Sequence, residues 1–148
     1  MVDARHFEAV MREQIGSLNA GDSAAVATLF AEDGRFVDMG APLAAHVGRE
    51  SIRLLVDSFI QAHDLGPSGI TIVRMVSRGS IVVSELHFDC QFVGPGSPPG
   101  GVRLEWDAVV VDEFDSGGLI IEERSFSDSA IIARQLEVPT RSQQSVCE

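Results

Sequence analysis

Apolar positions recur at helical spacing through the first third of the chain and at strand spacing through the rest. Phe7, Val10, Met11, Ile15 and Leu18 share one face of a helix predicted over about 3–19. Asn19-Ala20-Gly21 stops it, and Asp22 is placed to cap a second, shorter helix whose Ala25, Val26, Leu29 and Phe30 form the buried stripe. Glu32-Asp33-Gly34 ends that helix, 35–39 reads as a short strand, and 40–48 reads as a loop. A third helix is predicted over 49–63, burying Ile52, Leu55, Val56, Phe59 and Ile60 before Gly66-Pro67 closes it.

The period then changes from 3.6 to 2, and four strands are predicted at about 69–77, 80–93, 102–114 and 119–128. Arg78-Gly79 and 115–118 are short hairpin links, whereas GPGSPPGG at 94–101 is a longer loop, too rich in proline to offer its backbone N–H groups to an anion. Residues 129–136 read as a last helical turn or two and 137–148 as a polar tail, so the expected organisation is one domain over 1–136 followed by that tail. Helices first and an antiparallel meander afterwards predict an α+β fold. Its form would be a cone: a strongly curved, mostly antiparallel sheet covered on its concave face by the three N-terminal helices. Such a sheet leaves a concave pocket of the kind that binds small ligands.

Composition narrows the chemistry. With 148 residues the chain can bury a sizeable core without staples. All 11 basic residues are Arg, the net charge is −11, and Lys and Tyr are absent. No Schiff-base amine and no phenolic donor is therefore available. The acid excess repels phosphate backbones and anionic lipid, so a neutral or cationic small molecule is expected as partner, with no nucleic acid and no membrane. Two cysteines, Cys90 and Cys147, give no disulfide framework and no metal spacing, which fits a cytoplasmic location and no metal or other cofactor. No phosphate-cradling glycine loop or nucleophile elbow is present.

Several strings, each at an element boundary, resemble the nuclear transport factor 2-like superfamily, in particular its ketosteroid isomerase and SnoaL-like polyketide cyclase branch. They are SLNAGD at 17–22, LFAED at 29–33, FVD at 36–38, GRESI at 48–52 and DSGGLIIEER at 115–124. The resemblance covers about residues 5–130 and is specific for fold. It is weak for reaction, because the superfamily includes isomerases, cyclases, dehydratases, epoxide hydrolases and proteins without catalysis.

The resemblance implies a general base at Asp38, which inside an apolar cone would have a raised pKa. Without the family, the same carboxylate beside Gly40 and Pro42 reads as a turn cap. The isomerase's helix-one Tyr is replaced by Gln14, which the helical stripe points inward, either to bind substrate or to be satisfied by backbone. The isomerase's fourth-strand Asp falls on Val110, and the last-strand Asp of epoxide hydrolase-like and SnoaL-like enzymes falls on Ser125. Glu123, two residues before Ser125 on the same strand face, is a candidate acid partner for Asp38, or else part of a charged strand edge. His63 extends the third helix's apolar stripe and is a candidate donor or a packed residue; the neighbouring Asp64 lies near a second acid of polyether cyclases. Phe59, Phe88 and Trp106 are expected as steric walls of a substrate pocket, Trp106 reading equally as a plain core residue.

Strand 80–93 divides into an apolar face and a polar one, Glu85, His87, Asp89 and Gln91. That polar row spreads over ~13 Å, too far to close on one ion, and reads as a convex surface. The resemblance implies a homodimer through that surface. The expected function is cofactor-independent proton transfer in a hydrophobic pocket: an isomerase or cyclase, including ring closure by epoxide opening, acting on a polyketide-, terpenoid- or steroid-like molecule. The alternative is a non-catalytic ligand-binding or assembly module of the same fold.

Overall fold

A computed structural model describes residues 2–40 and 43–137. Three helices come first, α1 (Ala4–Asn19), α2 (Ser23–Thr28) and α3 (Arg49–Ala62), with β1 (Phe30–Asp38) and β2 (Ala44–Val47) between the last two. Then follow β3 (His63–Asp64), a 3-10 turn at Gly66–Ser68, β4 (Ile70–Arg78), β5 (Ile81–Phe92), β6 (Val102–Phe114), β7 (Ile120–Ser127) and α4 (Ser129–Glu137). The second helix is capped as the sequence suggests, Asp22 accepting from the Ala25 N–H, and Asp3 caps the first, accepting from that of His6.

The sheet runs β2-β1-β7-β6-β5-β3, with β4 also paired to β5, and only the β1–β7 pairing is parallel. The long β5 and β6 pair over twelve residues and curl around the helices, the cone expected from the element order. Two elements differ from expectation. The second helix stops at Thr28, because the Leu29 carbonyl accepts from Ile120 N–H and Phe30 already pairs with Ile120 in the sheet. The expected loop at 40–48 contains β2, a short Ala-Ala-His-Val strand of weak propensity whose pairing with Arg35–Asp38 comes from tertiary contact. The expected tail from 137 onward lies, after Glu137, outside the described residues.

The buried apolar side chains form two clusters. One gathers Phe7, Met11, Val26, Phe30, Ile52, Val82, Phe114 and Ile120; the other gathers Ile15, Ile70, Leu86, Leu104, Trp106 and Val110. Between them on successive inward positions lie polar residues: Gln14 between Met11 and Ile15 on α1, Ser84 between Val82 and Leu86 on β5, and Asp112 between Val110 and Phe114 on β6. This layer crosses the middle of the core.

Candidate functional site

The polar layer is built by register. Asp112 on β6 lies directly opposite Glu123 on β7, so the two carboxyl groups start from Cβ atoms roughly 5 Å apart on the same face. α1 crosses that face and brings Gln14, whose Nε2 donates to Glu123 Oε2 over 2.6 Å. On β5, Ser84 lies opposite Val110, one inward step from Asp112. All four are buried, Asp112 and Ser84 at 0% exposure. Neither oxygen of Asp112 nor the Ser84 hydroxyl has a hydrogen-bond partner among the described residues.

Burial pushes the Asp112 carboxyl well above the usual range, and the neighbouring Glu123 charge raises it further. Burial also raises Glu123, against the hydrogen bond from Gln14, which favours its ionised form. Among the described residues no cation contributes at either acid. Burial and mutual repulsion both favour a protonated carboxyl in this pair. The donor from Gln14 favours the negative charge on Glu123 over Asp112.

The expectation of a desolvated base at Asp38 is corrected. Asp38 stands at the end of β1, exposed to solvent, and its Oδ1 accepts from the Gly40 N–H at 2.9 Å, so it caps a turn. Glu123 is no charged edge residue: β7 lies between β1 and β6, Glu122 and Arg124 face outward and pair at 3.5 Å, and Glu123 alone faces the core. Gln14 points inward as expected, but its amide is engaged by Glu123. Ser125 is half-buried one inward step beyond Glu123, in register with Val110 and Asp38. Asp112 escaped the sequence reading. The inward alternation Trp106, Ala108, Val110 continues to position 112, but the isomerase alignment without a gap put the strand's acid at Val110.

The three aromatic residues expected as pocket walls pack on one another. Phe88 stacks on Trp106 with centroids 4.4 Å apart, Phe59 meets Phe88 edge-on, and His63 stacks on Phe59 at 4.2 Å. Asp112 and Trp106 are six residues apart on β6, roughly 20 Å along the strand, so His63 beside Trp106 cannot serve the same bond as Glu123. His63 instead lines an open cleft of about 460 Å³ between the C-terminal ends of α1 and α3, together with the exposed Asp64.

A profile of the SnoaL-like domain matches residues 11–123. No curated protein matches the chain. Among solved structures, the epoxide hydrolase/cyclase-like enzyme SalBIII, which has a role in pyran ring formation in the polyether salinomycin, aligns with a TM-score of 0.75 at 20% identity, covering 88% of this chain and 96% of its own. A protein from Shewanella denitrificans described as a SnoaL-like polyketide cyclase aligns at 0.74 with 19% identity over 88% and 96%. A protein of ketosteroid isomerase-like fold from Catenulispora acidiphila, in complex with trimethylamine, aligns at 0.73 with 20% identity over 88% and 93%. At these identities the likeness is one of fold.

Proposed function

The chain belongs to the SnoaL-like domain family of the nuclear transport factor 2-like superfamily, and from that premise we propose that it is a cofactor-independent acid/base catalyst acting on a hydrophobic small molecule. The observation that carries the reading is the buried Glu123–Asp112 pair, oriented by Gln14 and supplied with no cation. In an isomerisation, the Glu123 carboxylate takes a proton from one substrate carbon and the Asp112 carboxylic acid returns one to another. Proton transfer from Glu123 to Asp112 then restores the pair. In a ring closure, Glu123 takes the proton of a substrate hydroxyl as its oxygen attacks an epoxide carbon. Asp112 protonates the epoxide oxygen as its C–O bond breaks. Phe59, Phe88 and Trp106 would line the substrate's path, and polyketide-, terpenoid- or steroid-like molecules suit such walls. Among the described residues no helix is long and apolar enough to cross a membrane.

The test is a panel of β,γ-unsaturated ketones and hydroxy-epoxides of polycyclic and polyene type, followed by mass spectrometry and by solvent deuterium incorporation. Turnover should fall at least about 10²-fold in Glu123→Gln and survive in Asp38→Asn. Turnover that survives Glu123→Gln and fails in Asp38→Asn would overturn the assignment. A second reading, a binding module without chemistry, is favoured by the sealing of the pair: Glu123 is 6% exposed and its Oε2 is already occupied by Gln14. Tight binding of panel members without turnover is its expected result.

A further inference from the structure

The cleft beside His63 has a defined polarity. His63 ends α3, and its Nδ1 lies 2.8 Å from the Phe59 carbonyl oxygen, an acceptor only, so Nδ1 carries the proton and donates. Nε2 is then a bare lone pair with no partner among the described residues. Burial lowers the pKa of the half-buried ring, which favours its neutral form. The cleft's other polar groups tell the same way. Asp64 offers only acceptor oxygens, while the Asn19 amide is clamped on the backbone of Ile70 through both its oxygen and its nitrogen. Leu18, Ile60, Leu65 and Val93 supply the apolar remainder. An apolar cleft whose side chains mainly accept hydrogen bonds selects a ligand that donates one.

We propose that this cleft is a binding site for the hydroxyl-bearing end of a cyclic apolar molecule, with the hydroxyl donating to His63 Nε2 and the ring lying among Leu18, Ile60, Leu65 and Val93. The inference goes beyond the catalytic reading, because it needs the cleft and the imidazole and no chemistry at Glu123. Binding is read without turnover, so the two fail separately.

The chain supplies its own reporter: Trp106, its only tryptophan, has its ring centroid 6.0 Å from that of His63, and there is no tyrosine. The probes are 4-cyclohexylcyclohexanol and its methyl ether, alike in shape and transparent where tryptophan is excited, of which only the alcohol donates. Titration followed by Trp106 fluorescence should give at least about fivefold tighter binding of the alcohol, the value of one net hydrogen bond. On the wild-type protein the alcohol, and not the ether, should shift the ¹⁵N resonance of His63 Nε2. His63→Phe, which keeps a ring against Phe59, should bind both probes equally, and Asp64→Asn should keep the preference. Equal binding of the two probes by the wild type, an unmoved Nε2 resonance, or a preference that vanishes in Asp64→Asn instead would overturn the proposal.

Discussion

Asp112 is the residue on which the reading turns. Its pKa is raised by folding, so the native state binds the proton more tightly than the unfolded chain does. The resulting stability is fully present below the unfolded value near 4 and is lost as pH rises toward the folded value. Asp112→Asn cannot ionise. Its stability relative to wild type should therefore climb above about pH 4, by at most about 1.4 kcal/mol per pH unit, in denaturant melts across pH. Parallel curves for the two proteins would show that Asp112 keeps an ordinary pKa. At Asp38 the exposed cap on Gly40 predicts that Asp38→Asn changes stability by less than about 1 kcal/mol in the same melts. The sequence pointed to Glu123 and Gln14 because period and strand parity determine which way a side chain faces. Their contact lay hidden, since it joins residues 109 apart through the crossing of α1 over β7. Asp38 misled because position along a strand does not tell whether the concave surface there is covered.

At the scale of elements, the helices and long strands were legible from periodicity and caps alone. The joints between them were not. Gly34 lies where β1 shifts register between Phe30 and Arg35 against β7, and a Cβ there would meet the Ile120 carbonyl oxygen at 2.9 Å and that of Ala31 at 3.0 Å. Gly34→Ala should thus cost about 1–3 kcal/mol by chemical melts, and a neutral result would mean that the joint relaxes. α4 has a part that its weak sequence pattern does not disclose. β7 pairs with β6 only from Ala108 onward, and on the earlier stretch Gln135 both donates to and accepts from the Glu105 backbone, in place of a further strand. Its Ile132 packs on the cluster that contains Trp106. Ending the chain at Asp128 should open this edge, raise acrylamide quenching of Trp106 and promote aggregation. Unchanged quenching would show that α4 covers nothing.

For the whole molecule, curvature assigns opposite tasks to the two faces of the sheet. The concave face holds the polar layer between two apolar clusters, and the convex face mixes charge with Val76, Val109 and Phe126, exposed at 65%, 40% and 39%. If copies pair through that face, Val109→Arg combined with Phe126→Glu should give a monomer in sedimentation; a wild type already monomeric at high concentration would remove the homodimer. The central claim is that Glu123 and Asp112 share one proton in a sealed layer. Carboxyl ¹³C shifts of labelled Glu and Asp, followed from pH 4 to 9, test it most directly. One protonated carboxyl should persist at pH 7 in the wild type and, in Glu123→Gln, remain on Asp112. Two ionised carboxylates at pH 7 would contradict it.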